Sequence, residues 1–247
     1  MATIDASGPR LHTDRPERLL VITAHPDDAD LAVAGSVVRW VREGTVAHLV
    51  CCTSGDAGSD DPDTDPLELA ARREQEQRAA AGLVGYEGVT FLHRPDGALA
   101  NDLALREQLV RLIRTFRPDA VASADPRVIV HELGFVQHVD HREAAAAAVD
   151  AVYPAARNAM AFPHLVRAEG LAPHRVGRIY LFWPSQPTDV VDIGSTIEAK
   201  LAALREHASQ RMLQSQLVHR VRDRARAEGA LADVAAGESY AVIDLEA

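Results

Sequence analysis

Cysteine and aromatic residues are scarce in this sequence, and each scarcity excludes a class of protein. The two cysteines, Cys51 and Cys52, are adjacent inside an apolar run, where successive side chains of a strand face opposite ways. They can form neither the disulfide framework of a small secreted domain nor a CxxC metal site, and we expect buried, unreactive thiols. Aromatic residues make up 4% of the chain, and no strip of basic and aromatic residues stands out.

Positive charge and long apolar runs are lacking as well. Lys and Arg number 26 against 36 Asp and Glu, which gives a formal net charge of −10. Because nucleic-acid binding depends mainly on Lys and Arg at the phosphates, we expect no nucleic-acid partner. No apolar stretch is long enough to span a membrane, and the polar N-terminus has no apolar signal region. The expected location is the cytoplasm.

The chain does contain a regular alternation of apolar strands and amphipathic helices. The predicted strands lie at 19–22, 46–52, 89–92, 119–124, 178–183 and 190–193, with a last edge strand at 240–245. The predicted helices lie at 31–41, 67–83, 103–116, around 144–148 and at 196–218. This alternation predicts an α/β protein with a Rossmann-like, mostly parallel β-sheet sandwiched by helices. We expect a polar lead-in at 1–17 and a single domain at 18–247.

The first strand runs directly into a cluster of ligand-type side chains. Pro26 cannot donate to a sheet ladder, so the strand ends before it and leaves His25, Asp27 and Asp28 beyond its carboxyl end. Open α/β sheets place their binding crevices there. If a helix follows, His25 and Asp28 point to one side and can share a metal ion, while Asp27 is left free. The alternative is that Asp27 or Asp28 only caps the helix.

A second cluster precedes the alanine run at 144–148. His138, Asp140 and His141 lie at or near the start of a predicted helix. Together the two clusters offer His25, Asp28 and His141 as ligands, and two imidazoles with one carboxylate suit a catalytic zinc with open positions. Ferrous iron accepts the same ligands.

The side chains left over suggest metal-assisted hydrolysis of an amide or ester. Asp27 could take a proton from a metal-bound water and pass it to the leaving nitrogen. Asp140 could hold His138 in one orientation, so that a protonated His138 stabilises the oxyanion.

These motifs resemble those of the LmbE-like, or PIG-L, family of zinc-dependent N-acetylglucosaminyl de-N-acetylases. The two main motifs are Ala24-His25-Pro26-Asp27-Asp28 and His138-Val139-Asp140-His141. Three further segments are similar to family patterns: Arg73 to Ala80, Pro95-Asp96-Gly97, and Lys200 to Gln210. The resemblance covers the chain from about Arg18 to at least Gln210.

The resemblance implies a hydrolase that removes the N-acetyl group from an N-acetylglucosamine-type amino sugar or its conjugate, a small-molecule substrate. It implies a role for each of eight side chains. The zinc ligands would be His25, Asp28 and His141, and Asp27 would be the general base and acid. His138, oriented by Asp140, would stabilise the tetrahedral intermediate. Arg73 and Asp96 would contact the sugar.

The sequence departs from the family pattern beside both motifs. Ala29 stands where a glutamate is common, which removes a carboxylate near the ligands, and Val136 stands where some members have a tyrosine.

Two other functions stay open: an amidase that cuts a larger acyl group, as in the mycothiol-conjugate branch, and a non-catalytic protein that binds sugar or metal. A dinucleotide-binding oxidoreductase is excluded because no GxGxxG follows the first strand. The oligomeric state, including a homo-oligomer, is open.

Overall fold

An eight-stranded sheet forms the centre of the protein. The structure is a computed structural model and describes residues 8–130, 134, 136–210 and 215–245. The strands are β1 (Arg10–Leu11), β2 (Arg18–Thr23), β3 (Val46–Thr53), β4 (Gly88–Arg94), β5 (Ala120–Ala124), β6 (Arg178–Phe182), β7 (Asp189–Asp192) and β8 (Gly237–Asp244). All pair in parallel except β8, which is antiparallel to both β6 and β7. The predicted α/β fold with a mostly parallel sheet is confirmed.

The order of the strands creates a crevice beside β2. The sheet runs β1-β7-β8-β6-β5-β2-β3-β4. The chain therefore proceeds outward from β2 through β3 to β4, and then returns to place β5 on the other side of β2. In such sheets, ligands bind outside the carboxyl ends of the two strands at which the order reverses. The segments that follow β2 and β5 carry the two predicted clusters.

Helices cover both faces of the sheet. They are α1 (Asp28–Ala32), α2 (Ala34–Arg42), α3 (Pro66–Val84), α4 (Leu103–Phe116), α5 (Val139–Asp150), α6 (Pro163–Arg167), α7 (Ile197–Arg205) and α8 (Ser215–Ala230). The sequence sets the ends of α3 clearly. Asp65 caps its start, Pro66 occupies the first turn, and Gly85 ends it in a left-handed conformation with φ of 95°.

The alternating side chains of β2 divide the core in two. Leu19 and Val21 face the cluster that includes α2 and α3, whereas Leu20 and Ile22 face the cluster that includes α4 and α5. All four side chains are completely buried. A strand covered on both faces has the continuous apolar sequence seen here. This rigid central strand supports the turn that bears the first cluster.

Three predicted elements differ in the structure. The helix predicted at 196–218 is divided into α7, a 3₁₀ turn at Ala208–Gln210, and α8, because His207 turns inward to a buried carboxylate. The last strand is β8, which pairs on both sides and so is not at an edge of the sheet. Within the predicted lead-in, β1 pairs with β7, while residues 1–7 lie outside the described part. The domain boundaries stay a prediction.

No helix in the described ranges combines the length and the apolar character that a membrane span requires.

Candidate metal and active site

The turn after β2 gives two consecutive carboxylates separate environments. Asp27 lies between β2 and α1 with a left-handed backbone, φ 91°. Its side chain makes no capping hydrogen bond to α1, so capping does not explain it. The Asp28 carboxylate turns back and accepts the N–H of His25 at 2.8 Å. Asp28 therefore belongs with His25, and the Asp27 carboxylate is left for another contact.

His25, Asp28 and His141 bring three ligand-type groups together. His25 Nδ1 lies 3.2 Å from His141 Nε2. Asp28 Oδ1 lies 3.0 Å from His141 Nε2, and Asp28 Oδ2 lies 3.5 Å from His25 Nδ1. Ligands of a tetrahedral zinc, at about 2.0–2.1 Å from the metal, lie roughly 3.4 Å from one another. The two ring nitrogens and the Asp28 carboxylate are separated by distances of this size, with a different carboxylate oxygen nearest to each ring.

The other ring nitrogen of each histidine already has an acceptor. His25 Nε2 lies 3.0 Å from Asp96 Oδ1 and 3.3 Å from Asp140 Oδ2. His141 Nδ1 lies 3.1 Å from Gln137 Oε1. Since these oxygens require N–H donors, each ring, when it is neutral, carries its proton on the nitrogen that faces them. The two nitrogens that face each other then both present lone pairs, an arrangement that a cation between them stabilises.

The surroundings favour positive charge at this place. Burial by itself lowers the pKa of His25, but hydrogen bonds with Asp140, Asp28 and Asp96 outweigh it and raise the pKa to about 12. Burial raises the pKa of Asp28, but the charge and hydrogen bond of His141 and the contact with His25 hold it well below its usual range. A divalent metal supplies such positive charge more strongly than a proton does. The residues present therefore fit a metal ion.

Two other sets of side chains also hold their ligand atoms within 4.8 Å of one another. They are His25 with His138 and His141, and His25 with Asp96 and Asp140. The second set gathers at Nε2 of His25, the ring nitrogen opposite to the one that faces His141. One imidazole cannot turn both nitrogens to one ion. We therefore interpret the two carboxylates as acceptors that orient His25, as partners of metal-bound histidines commonly do.

The Asp140 carboxylate contacts His25 and does not contact His138. It also accepts the N–H groups of Gly97 at 2.7 Å and Leu99 at 3.2 Å. What reaches His138 is the backbone: the Asp140 N–H donates to His138 Nδ1 at 3.2 Å and makes His138 the N-cap of α5. In this structure the Asp140 carboxylate is therefore placed to orient His25, and its predicted role toward His138 stays a prediction.

The His138 ring lies against the rings of His25 and His141. Its centroid is 4.9 Å from that of His25 and 5.4 Å from that of His141. Burial, followed by the charges of His25 and His141, lowers its pKa. Because Nδ1 accepts a backbone N–H, the proton of the neutral ring is on Nε2. The predicted role of His138 stays a prediction, and the lowered pKa favours its neutral form.

Arg73 and Asp96, the two predicted sugar contacts, are enclosed in the walls of the site. Arg73 is 4% exposed and donates to the carbonyls of Pro26 at 2.8 Å and Gly55 at 3.0 Å. A Cβ on Gly55, whose φ is +70°, would lie 2.3 Å from the guanidinium. The Asp96 carboxylate contacts His25 Nε2 and accepts the N–H of Ala57 at 3.1 Å. In this structure both side chains connect loops to the site.

The free carboxylate of the turn has an unusual proton affinity. Asp27 Oδ2 lies 3.3 Å from Arg73, and the side chain is 7% exposed. Burial, together with the neighbouring charge of Asp28, raises the pKa of Asp27 to about 7, although the charge of Arg73 acts in the opposite direction. A carboxyl group with a pKa near neutral pH can both accept and release a proton under ordinary conditions.

Sequence reasoning missed a second layer of polar residues. Gln77 Oε1 accepts the Asp27 N–H at 2.7 Å, and its Nε2 donates to Asp30 Oδ2 at 2.8 Å. His207 Nε2 lies 2.8 Å from the same oxygen. Ala29 is packed in the core, and the next residue, Asp30, places a buried carboxylate in this layer. Only the likeness of the segment containing His207 to the family pattern signalled any of this.

Comparison with known proteins agrees with the motifs. A family model described as "PIG-L: GlcNAc-PI de-N-acetylase" matches residues 20–152. Diacetylchitobiose deacetylase of Thermococcus kodakarensis is 30% identical over 197 residues, covering 78% of this chain and 70% of that protein. A 1D-myo-inositol 2-acetamido-2-deoxy-alpha-D-glucopyranoside deacetylase of a Mycobacterium species is 28% identical over 234 residues, covering 78% of this chain and 74% of that one.

A solved structure shows the same architecture. N,N′-diacetylchitobiose deacetylase of Pyrococcus horikoshii superposes with a TM-score of 0.84 and 27% sequence identity, over 93% of this chain and 84% of that one. The family model covers both site motifs and more than half of the 247 residues. The chain belongs to the PIG-L, or LmbE-like, family of de-N-acetylases.

Proposed function

We propose that this protein is a zinc-dependent hydrolase that removes the acetyl group from the nitrogen of an N-acetylglucosamine unit. The observation that carries the proposal is the triangle of His25 Nδ1, Asp28 and His141 Nε2, with separations of 3.0 to 3.5 Å. Beside it, Asp27 is a carboxylate that the triangle does not use. A metal site with an adjacent general base is the arrangement that amide hydrolysis requires.

His25, Asp28 and His141 would hold the metal. Two imidazoles and one carboxylate leave positions open on zinc, and ferrous iron accepts the same donors. When bound there, zinc supplies Lewis-acid polarisation of the acetyl carbonyl and acidifies water. Metal analysis of the purified protein distinguishes the two ions.

Asp27 would move the proton. It takes a proton from the attacking water and delivers it to the nitrogen of the leaving amine, so that one carboxyl group serves as base and then as acid. Its pKa of about 7, raised by burial and by Asp28, suits both steps. Arg73 at 3.3 Å limits its rotation.

His138 would stabilise the oxyanion. Its Nδ1 is occupied by the Asp140 N–H, so the ring can donate only from Nε2. The side chain is exposed above His25 and His141. A substrate carbonyl next to the metal ligands therefore meets a fixed N–H donor, and such donors contribute strongly where charge develops in the transition state.

The relatives support an N-acetylglucosamine unit as the part that is recognised. Their names specify deacetylation of diacetylchitobiose and of an inositol glycoside of 2-acetamido-2-deoxyglucose. The two substrates share only the acetylated amino sugar. We extend the proposal to a small soluble conjugate of that sugar and to a cytoplasmic setting, which the two buried free cysteines suit.

The test is release of free amine from a panel that includes N,N′-diacetylchitobiose and N-acetylglucosaminyl-inositol. The zinc-loaded wild type is compared with Asp27→Asn and with Asp60→Asn, an exposed carboxylate in a loop. We expect release by the wild type and by Asp60→Asn, and a loss of roughly 10²- to 10⁴-fold in Asp27→Asn. No release across the panel from protein with one bound metal ion would overturn the proposal.

A further inference from the structure

A chain of buried polar groups lies behind the turn that carries Asp27. Gln77 accepts the Asp27 N–H and donates to Asp30, and Asp30 in turn contacts His207. Gln77 lies on α3, Asp30 on α1 and His207 between α7 and the 3₁₀ turn, and all three side chains are completely buried. Polar groups placed this deep cost free energy unless they are paired. Their position next to the turn calls for an explanation.

The partners fix the orientation of the Gln77 amide. A backbone N–H requires an oxygen, so Oε1 faces Asp27, at 2.7 Å. A carboxylate requires a donor, so Nε2 faces Asp30, at 2.8 Å. Turning the amide by half a rotation would break both hydrogen bonds at once. Asp30 therefore determines that Gln77 presents an acceptor to Asp27.

Stability alone does not explain this arrangement. Asp30 Oδ1 and His207 Nδ1 are buried and have no hydrogen-bond partner within the part of the chain that the structure describes. Apolar side chains of similar volume avoid such a cost, and replacing buried ionic groups in this way is often neutral or stabilising. A costly network next to a reacting group is typical of a functional constraint.

The hydrogen bond from the Asp27 N–H to Gln77 holds a residue with a strained backbone. Asp27 has φ of 91°, a conformation that a side chain with a Cβ rarely adopts. Such a residue keeps its conformation only where its surroundings hold it. Gln77 binds its N–H, Leu31 N–H donates to its carbonyl at 3.0 Å, and Arg73 contacts its carboxylate. Arg73 and Gln77 are four residues apart on α3 and so share one helix face.

We propose that Gln77 is a positioning residue for the deacetylation, one that holds the Asp27 backbone so that its carboxylate is aimed at the reacting atoms. Asp30 and His207 keep the Gln77 amide in the orientation this requires. The inference rests on the proposed function, because it takes Asp27 as the general base. It does not involve the metal ligands directly.

The first experiment replaces the amide without changing its volume. Gln77→Met removes both hydrogen bonds, and Gln75→Met on the exposed side of the same helix is the matched control. We expect kcat to fall roughly 10- to 100-fold in Gln77→Met, as for other residues that orient reacting groups. KM and bound metal should stay close to those of Gln75→Met, because the substrate contacts and the metal ligands are unchanged. The melting temperature should fall, because Asp27 and Asp30 each lose a buried hydrogen bond, so kcat is compared per folded molecule.

A second readout needs no activity. In the metal-free protein, hydrogen exchange of the Asp27 amide reports directly on its bond to Gln77. We expect this amide to be protected in the wild type and in Gln75→Met, and to exchange at least about tenfold faster in Gln77→Met. This measurement decides the positioning contact even if the wild type releases no acetate from any amino sugar, which would count against the proposed function alone.

A donor–acceptor exchange tests the same contact from the other direction. Gln77→Glu keeps an oxygen toward Asp27 but sets two carboxylates against each other, so we expect loss of activity. Adding Asp30→Asn restores a donor to the introduced carboxylate, and the second N–H of the introduced amide can reach His207 Nε2 in its other tautomer. The double variant should recover most of the kcat lost by Gln77→Glu.

Two results would overturn the proposal. One is a kcat in Gln77→Met equal to that of Gln75→Met, with the Asp27 amide exchanging as in the wild type. The other is a loss of activity that follows only the melting temperature, with full kcat per folded molecule and no recovery in the double variant. Either result would make the network part of the scaffold only.

Discussion

Among the described residues, the buried histidine and aspartate cluster at the β1–β7 side and the cluster beyond β2 and β5 differ in how fully their polar atoms are paired, and we call the first complete and the second incomplete. The cluster at the β1–β7 side joins His12 Nδ1 to Asp189 at 2.9 Å and His12 Nε2 to the Tyr180 hydroxyl at 3.0 Å. Arg10 donates to the same carboxylate at 2.8 Å, and Thr188 donates to its second oxygen at 2.7 Å. Both ring nitrogens and both carboxylate oxygens have complementary partners, so this cluster needs nothing more.

The cluster beyond β2 and β5 has the same residue types but not the same balance. His25 Nδ1 faces His141 Nε2 at 3.2 Å, and both face the Asp28 carboxylate. Their outer nitrogens are the ones paired with oxygen acceptors. In this cluster two ring nitrogens present lone pairs to each other and no N–H donor of the described residues lies between them. This lack of a donor, rather than burial or residue type, distinguishes a cation site from a histidine–aspartate pair that only stabilises the fold.

The strongest test of the difference between the two clusters is to replace one histidine in each of them with alanine. His141→Ala should lose the bound metal and reduce deacetylation to background, while the melting temperature changes little. His12→Ala should keep metal and specific activity but lower the stability, because it removes the two buried hydrogen bonds that His12 makes with Asp189 and with the Tyr180 hydroxyl. Metal content, amine release and thermal unfolding measure all three effects. Retained metal in His141→Ala would refute the ligand assignment.

The sequence was informative where a motif is local and uninformative where a contact joins distant segments. His25, Asp27 and Asp28 are consecutive or nearly so, and a strand that ends in them predicts their place at the sheet edge. The approach of His141 depends on the return of the chain to place β5 beside β2, which the structure shows. In contrast, Asp30 meets His207 across 177 residues, and no periodicity specifies such a pair.

The same limit explains where the structure places Arg73 and Asp140. Arg73 was expected to contact the sugar, and its helix packs with this side against the turn, where two carbonyls accept its N–H groups. Asp140 is two residues from His138, yet at the start of a helix its carboxylate points to His25, Gly97 and Leu99. Side-chain direction depends on the packing of whole elements, which residue spacing alone does not give.

A variant with a smaller expected effect tests the contact between the Asp140 carboxylate and His25 Nε2 in the incomplete cluster. Asp140→Asn would set an amide N–H against the donors of His25 and Gly97, which now share Asp140 Oδ2. We expect metal affinity or kcat to fall roughly 10- to 100-fold, as for other residues that orient metal-bound histidines. Asp150→Asn, at the opposite end of α5, is the matched control. Equal activity of the two variants would show that the His25 orientation does not depend on Asp140.

The smallest expected effect concerns the complete cluster and its response to acid. Burial raises the pKa of Asp189, but hydrogen bonds from His12, Arg10 and Thr188 outweigh it and lower the pKa from 3.8 to about 2. Because the folded-state pKa lies below the unfolded one, the carboxylate stabilises the fold above pH 4, and this contribution decreases as the pH falls toward 2. Linkage gives at most about 2 kcal/mol.

Asp189→Asn should therefore lower the free energy of unfolding at neutral pH, and the difference from the wild type should narrow progressively below pH 4. Urea unfolding from pH 7 to pH 3 measures this difference, and Asp192→Asn at the other end of β7 is the control. Specific deacetylase activity at neutral pH should be unchanged, since no contact in the described structure joins Asp189 to His25 or His141. A difference that does not depend on pH would mean that Asp189 acts through packing, and the two clusters would then differ in more than their balance of donors and acceptors.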